Sequence, residues 1–409
     1  MENKELLWML YEEEGYTSEY NSERNLPTTV KQFFNPIPKI INTDIALTLS
    51  GLRISTGNEN WEAIKEQIEN DNNWKYKQLR LVLFLLMEGN CYVEVSKNDA
   101  LPGGIQHTLY TEDQVVKVLR DKSERIIYFE VQGISPNGKK AKKILSIEEF
   151  RYEEDDGEPI VVPNTWDFVP VVDIFGRIGK EKFQGRSRIA GILDKLDAIN
   201  EYEWDLREIF RLHANPFVIV EAESIEQEEE TDENQTDRTS LERKYLRTLN
   251  VPEGTAKYLE MQGNIAQLMK EERIELKGEI KEDYPELKLA EIMSGGAASG
   301  YAIELKLTDL LSVVDLYRKR LSEGLRDLWN MTGTMLGYSW NATVEFGPII
   351  PQNISERIDQ IANAHNGGFL SRKTAVELCP LSRKDEWERI QLEDDELTGA
   401  VRELQGENV

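Results

Sequence analysis

The sequence predicts an α+β chain that is mainly helical. Three observations predict it. The stretch from Ser294 to Leu336 opens with small residues and continues as a long helical pattern without a proline. A second helical run lies between Gly185-Arg186-Ser187 and Asn215-Pro216. Ahead of both, residues 91–175 carry short β-rich runs separated by Asp, Asn and Gly.

Taken in order, residues 1–25 are polar and acidic and read as a short arm or helix. Between Val30 and Leu52, Pro36 and Pro38 confine the helical pattern to the part after them, because proline interrupts a helix interior. Trp61–Ile68 and Trp74–Met87 read as two more helices, Gly89 punctuates, and Cys91–Val95 reads as a strand. Gln114–Leu119, Arg125–Val131 and Ile144–Tyr152 are further β-rich runs, and Val169–Phe175 closes this part. From Gly185-Arg186-Ser187 a helix is expected, because Ile189, Ile192, Leu193, Leu196, Ile199, Leu206, Ile209 and Phe210 keep helical phase to His213. Asn215-Pro216 ends it, and Phe217–Val220 is a strand.

Between Glu221 and Glu242 the chain has ten acidic residues and one basic, the composition of a solvated excursion. Ile265–Ile280 reads as a helix charged on all faces, exposed or inter-subunit rather than core. After the long helical pattern come a strand at Ala342–Phe346, a turn from Gly347 to Pro351, and short helices at Ser355–Ala364, Ser371–Leu378 and Lys384–Glu396. Ser371 supplies an N-cap hydroxyl to the second of these.

The loop ahead of the long helix is Ser294-Gly295-Gly296-Ala297-Ala298-Ser299-Gly300. Its glycines tolerate dihedrals closed to other residues, so its backbone can move. Behind it, Leu305, Val313, Leu316, Leu321, Leu325 and Leu328 mark an apolar side, with a second apolar row beside them, on a helix of about nine turns. A phosphate-cradling loop would need Lys then Ser or Thr after its last glycine. Tyr301 and Ala302 stand there instead, which argues against nucleotide binding.

A chain of 409 residues with 40% hydrophobic and 30% charged content can bury a sizeable core and suggests two or three domains. Its formal charge of −26 argues against a sequence-reading DNA binder, which needs a basic footprint. It does not argue against a wall past which DNA must slide without sticking. Cys91 and Cys379 lie far apart and suggest neither a disulfide framework nor a zinc site, as in a reducing cytosol. Met1-Glu2-Asn3-Lys4-Glu5 has no basic and apolar run of a signal peptide, and Leu81–Met87 is too short to cross a bilayer.

No catalytic constellation emerges. His107, His213 and His365 are isolated, and an isolated histidine reads as a surface or helix-end residue. Glu153-Glu154-Asp155-Asp156-Gly157-Glu158 lacks the ligand spacing of a calcium loop and reads as a charged turn. No spacing for zinc hydrolysis, a nucleophile elbow or a redox pair occurs. No catalytic residue, metal or cofactor is therefore expected.

Several passages in order resemble one family. Leu86-Met87-Glu88-Gly89-Asn90-Cys91-Tyr92-Val93-Glu94-Val95 is a helix, glycine and aromatic strand. Val169-Pro170-Val171-Val172 is followed by Gly185-Arg186-Ser187 and a helix carrying Lys195-Leu196-Asp197-Ala198-Ile199-Asn200. Ser299-Gly300-Tyr301-Ala302-Ile303-Glu304-Leu305-Lys306 is similar to a Ser-Gly-x-Ala-Leu-Lys pattern, with Glu304 one residue more than that pattern holds. Val344-Glu345-Phe346 to Pro351, Gly368–Ala375 and Asp385–Ile390 complete the series. Together they resemble the portal proteins of tailed bacteriophages, in the group serving siphophages of Gram-positive hosts.

The resemblance implies a portal fold with wing, stem, clip and small crown, assembling into a ring of about twelve copies at one capsid vertex. It implies a wing at 1–184, a stem helix at 185–214, a clip at 215–264 and a second stem helix at 265–285. A tunnel loop would follow at 286–300, a long wing helix with its closing strand at 301–350, and a crown at 351–409. Ser294, Gly295, Gly296, Ala297, Ala298, Ser299 and Gly300 would face DNA in the channel, with Lys306 a candidate phosphate contact. Implied partners are double-stranded DNA passing non-specifically, the terminase large subunit, major capsid and scaffold proteins, and a head-completion or adaptor protein, with no membrane. The chain would be made in the bacterial host cytoplasm and end in the virion. The alternatives are an acidic helical scaffold or adaptor without a channel, and an enzyme built on carboxylate pairs.

Overall fold

The computed structural model describes residues 3–135, 138–154, 157–178, 183–214, 218–220, 248–250, 264–289, 305, 307–349, 354–379, 381–382 and 385–394. Two units divide the chain. One comprises Met1–Glu291 with Asp309–Phe346, the other Ile292–Thr308 with Gly347–Val409. The acidic excursion 221–242 and the loop 294–300 with Lys306 lie outside the described residues.

The first unit begins with three helices, α1 (Asn3–Tyr11), α2 (Ser18–Glu23) and α3 (Ile37–Leu49). Leu6, Leu7, Leu10 and Tyr20 are buried, so residues 3–25 are docked on the core and do not form a free arm. Pro38 lies in the first turn of α3, where its missing N–H costs nothing, and Ile37, Ile40 and Ile41 turn fully inward. After the short β1 (Arg53–Ser55), α4 (Glu59–Asp71) and α5 (Trp74–Met87) follow. Every residue of α5 from Phe84 to Met87 is buried, which leaves that helix no solvent face at its C-terminal end.

Two antiparallel sheets come next. Strands β2 (Asn90–Lys97), β3 (Ile105–Tyr110) and β9 (Val171–Phe175) form the first, in the order β3-β2-β9. The second is a meander of β4 (Val115–Arg120), β5 (Ile126–Ile134), β6 (Lys140–Ser146), β7 (Glu149–Glu154) and β8 (Ile160–Pro163). The single β-rich run expected at Ile144–Tyr152 is thus two strands. Ser146 makes the corner, its hydroxyl donating to Glu149 C=O at 2.8 Å and accepting from Glu149 N–H at 3.0 Å. A satellite core of Tyr92, Tyr110, Phe129, Val131, Leu145 and Val171 is shared by residues of both sheets. Inside it, Lys143 pairs with Glu94, and Tyr110 donates to the same carboxylate at 2.8 Å.

Gly185-Arg186 does not start a helix. It forms β11 (Gly185–Arg186), antiparallel to β10 (Arg177–Ile178), and α6 (Leu193–Ala214) starts only at Leu193. The reason lies in Ser187 and Arg188, whose hydroxyl and backbone N–H both donate to Leu86 C=O, at 3.2 and 2.8 Å. Strands β12 (Val218–Val220) and β13 (Thr248–Asn250) pair in parallel. Helix α7 (Asn264–Asp283) packs along α6, with Lys195 reaching Glu279 at 2.9 Å and Asp283 at 2.8 Å, and Arg273 pairing with Glu203. Of its apolar residues, Ile280 is buried while Ile265, Leu268 and Ile274 are exposed. The expectation of an exposed helix therefore holds for most of α7 and fails at its end.

Helix α8 (Thr308–Met335) runs along the main core. Its buried row is Leu310, Val314, Tyr317, Leu321, Leu325, Leu328 and Trp329, each fully buried leucine contributing about 1.5–3 kcal/mol. Leu305 and Leu316, expected on the apolar side, are exposed. Gly324 lets the helix lie on β9, because a Cβ there would run into the Ile174 side chain. Strand β14 (Thr343–Glu345) then pairs antiparallel with β1.

His107 corrects another expectation. It is 1% exposed, with its ring centroid 5.1 Å from that of Trp74 and 5.4 Å from that of Trp329, and Nε2 2.9 Å from Thr332 Oγ1. Burial, with Lys77 nearby, pushes its pKa down to about 3, so it is a neutral core residue. In the second unit, α9 (Ile354–Asn366), α10 (Arg372–Leu378) and a helical stretch at 386–394 follow one another. Ser371 caps α10 as expected, accepting from Thr374 N–H at 3.2 Å. His365 sits at the end of α9, exposed, beside Leu370 C=O at 3.0 Å.

Candidate functional site

The residues on either side of the small-residue loop converge on a buried group of charges. Before the loop, α7 is followed by a 3-10 turn, Pro285–Lys288, which carries Glu286 inward. After it, α8 brings Tyr317. Between them stands Arg188, 7% exposed, on the segment that precedes α6. Its Nη2 donates to Glu286 at 3.1 and 3.3 Å, and its Nε to Asp44 of α3 at 3.3 Å. Its guanidinium carbon also lies 4.7 Å from the Tyr284 ring centre.

One guanidinium therefore faces two carboxylates, and the balance decides the protonation. Burial raises the pKa of Asp44 to about 6 against the pull of Arg188. Burial, then the charge of Asp44, raises Glu286 to about 7. A single Arg⁺ cannot compensate two buried anions, so the acids tend to retain one proton between them near neutrality. The group joins three elements, α3, the segment leading to α6 and the turn after α7, and Tyr317 of α8 lies within reach of its charges.

A second polar cluster fixes the start of α6. Asp197 accepts from Tyr16 at 2.7 Å, from Tyr20 at 2.8 Å and from Arg24 Nε at 2.6 Å. Asn200, one helical turn on, accepts the backbone N–H groups of Phe33 and Phe34 at 2.7 and 2.8 Å and donates to Phe34 C=O at 3.0 Å. Of the three polar positions in Lys195-Leu196-Asp197-Ala198-Ile199-Asn200, Lys195 reaches α7, and Asp197 and Asn200 tie the N-terminal segment to α6. Arg318 of α8 does the same for α3. It donates to the carbonyls of Leu47 at 2.6 Å, Thr48 at 3.2 Å and Ser50 at 3.1 Å, at the end of α3 where carbonyls run out of helical partners.

These arrangements hold elements in place; none resembles a nucleophile with its base. Among the described residues no group of three or more His, Cys, Asp or Glu could hold a metal ion. A cavity of about 540 Å³ between β1 and α4–α5 is lined by Arg53, Lys65, Glu66, Glu69 and Trp74 but by no Ser, Thr, Cys or His. Cys91 is buried and its thiol pKa raised, which makes it inert. Of the residues expected at the loop, Ser294 to Gly300 and Lys306 lie outside the described residues. The structure does bring together two passages that carry the resemblance: Gly89-Asn90 touches Gly185, whose N–H donates to Asn90 Oδ1 at 2.5 Å. Asp44, Arg188 and Glu286 were not singled out from sequence. An Arg three residues past Gly185 gives no sign of partners 144 and 98 positions away.

The sequence matches the family model described as "Phage portal protein, SPP1 Gp6-like" over residues 38–400. No curated protein matches it. Among solved structures, the chain is similar to a chain in the neck of an empty gene transfer agent particle. There, identity is 14%, coverage is 84% of this chain and 89% of that one, and the TM-score is 0.50. Chains in the neck and in the virion of the native gene transfer agent particle also match at 14% identity. The neck chain covers 85% of this chain and 89% of its own length, the virion chain 83% and 88%, each with a TM-score of 0.45.

Proposed function

The chain belongs to the SPP1 Gp6-like phage portal proteins, and from that we propose that it is the DNA conduit of a tailed-phage head. As a portal protein it assembles into a ring at one vertex of the capsid and resides in the virion. The family is structural rather than enzymatic, and this chain would likewise leave ATP hydrolysis to a separate motor. We place about twelve copies in the ring. Double-stranded DNA would pass through it during packaging by terminase and again on ejection, and head-completion proteins would attach afterwards.

The observation that carries this reading is the family match over residues 38–400, which takes in both long helical runs and the loop between them. Charge supports it. At −26 per copy the wall of a ring repels phosphate, so a duplex in transit meets few binding minima. In this reading 1–184 form the wing, 185–214 and 265–285 the stem, 215–264 the clip and 351–409 the crown. Residues 286–300 form the tunnel loop and 301–350 the helix and strand behind it. The Arg188 group would couple the small-residue stretch 294–300 to the wing, because Glu286 precedes that stretch and bonds the guanidinium while Tyr317 follows it and feels the guanidinium's charge.

Native mass spectrometry of the purified chain, with negative-stain images, tests the proposal. Rings of about twelve or thirteen copies with a central hole are the expected result. A stable dimer without a hole, at concentrations where portals close, would overturn it in favour of an acidic adaptor.

A further inference from the structure

The five-stranded sheet has one face in the satellite core and one in solvent, and the solvent face is unlike the rest of the chain. On β4–β6 it carries Lys117, Lys140 and Lys142, in a chain of net charge −26, while Lys143 turns inward onto Glu94 and Arg120 pairs with Asp173. Register assigns the faces. Lys117 pairs with Glu130, Glu130 with Ile144, Gln132 with Lys142 and Ile134 with Lys140, so these residues share one side. Phe129, Val131 and Leu145 take the other and are fully buried. Among the outward residues of β4, β5 and β6 the one carboxylate is Glu130, neutralised in place, and on β7 the outward Glu149 and Glu153 flank Arg151, with Glu153 opposite Lys142. Lys142 Nζ lies 2.8 Å from Glu130, and Tyr128 donates to Glu130 at 2.6 Å. Lys117 and Lys140 are left exposed, beside Leu119 at 43% and Ile134 at 66% exposure.

We infer that this outward face of β4–β6 is a subunit interface that receives an acidic surface of a second copy of this chain. The inference rests on the portal reading above, since a ring joins two unlike surfaces of one chain head to tail. Two features of the face select the occupant. Its lysines need anions, which the other surfaces of so acidic a chain offer in excess. Its exposed Leu119 and Ile134 need apolar contacts, which a phosphate backbone would leave unmet. The exposed side of α7 shows that this chain offers both together, with Ile265, Leu268 and Ile274 set among Glu271, Glu272 and Glu275. Charge complementarity of this kind fixes register and speeds encounter.

The test uses rings assembled from equal amounts of unlabelled and 15N-labelled full-length chain, treated with a carbodiimide that joins amines to carboxylates in direct contact. Mixed-label links from Lys117 or Lys140 to any Asp or Glu of another copy are expected. In parallel, the K117E/K140E double variant should fold as the wild type does, by circular dichroism. It should need about tenfold more protein to form rings, with the deficit easing in high salt. Rings that carry no mixed-label link at either lysine, or a variant that assembles at wild-type concentration, would overturn this inference and leave the portal reading standing. Capture of DNA or of the major capsid protein by this face in place of a second copy would also overturn it. Absence of any ring would overturn both.

Discussion

Gly89 and Gly185, ninety-six positions apart in the sequence, press backbone against backbone. Gly89 adopts φ +91°, a conformation L side chains rarely enter, and a Cβ on it would lie 2.5 Å from Arg186 N. A Cβ on Gly185 would overlap the Gly89 carbonyl, and that same carbonyl accepts from Gly176 N–H at 2.8 Å. The turn out of α5 and the approach to α6 can therefore meet only as two glycines.

Either glycine changed to alanine should destabilise the chain by about 2–4 kcal/mol, since backbone must move and no flexible side chain can yield. G191A is the comparison. Nothing lies within 4 Å of a Cβ at Gly191, and its backbone is not left-handed. That change should stay within about 1 kcal/mol. Urea midpoints of the three variants check the ordering, and G89A equal to G191A would refute it.

The Arg188 group makes stability depend on pH. Folded Asp44 and Glu286 hold protons up to about 6 and 7, whereas unfolded carboxyls release theirs near 4. Between those values the folded state binds more protons, so this contribution to stability falls as pH rises from about 4 to 7. E286Q removes one buried anion and should shrink the difference in Tm between pH 5 and pH 8 by roughly 2–4 °C, mainly by raising Tm at pH 8. R188M leaves two carboxylates without their cation and should cost about 3–5 kcal/mol at pH 8, with a smaller loss at pH 5. Thermal melts at both pH values decide the matter; an R188M penalty that grew at pH 5 would contradict it.

The helices that the sequence made legible are those whose ends carry local signals, such as α5 ahead of Gly89 and α10 behind Ser371. The start of α6 was misplaced for a physical reason. Ile189 and Ile192 are both fully buried and keep helical phase, yet they lie in turns held by bonds to Leu86 C=O. Periodicity reports burial, not backbone. Along α8, Leu321, Leu325 and Leu328 are buried as expected while Leu305 and Leu316 are exposed, because nothing in the sequence says which of two adjacent apolar rows the core will cover. Asp197 and Asn200 were visible as a pattern without a role, and their partners Tyr16, Tyr20, Arg24, Phe33 and Phe34 come from the far end of the chain. Asp44, Arg188 and Glu286 give no local sign at all.

The contrast between Leu321 and Leu316 on α8 makes its own prediction. L321A removes a side chain 1% exposed in the main core and should cost about 2–5 kcal/mol, depending on how far the site collapses. L316A, one helical turn and a face away, removes a side chain 37% exposed and should cost less than about 1 kcal/mol. Denaturant unfolding of both variants checks the pair, and equal penalties would return Leu316 to the core side.

The loop 294–300 carries the prediction closest to function. If it lines the channel as proposed, its glycines serve movement, and the fold does not depend on them. G295A, G296A and G300A combined restrict the backbone without adding charge or bulk, so rings should still form and melt as the wild type does. DNA packaging in an in vitro assay with terminase and procapsids should drop by at least about tenfold if each advance of DNA requires the loop to change shape. K306A should show a lesser defect that fades in high salt, the mark of a phosphate contact screened by ions. Loss of rings in the triple variant would mean that the loop holds the fold, and normal packaging would mean that it does not border the channel.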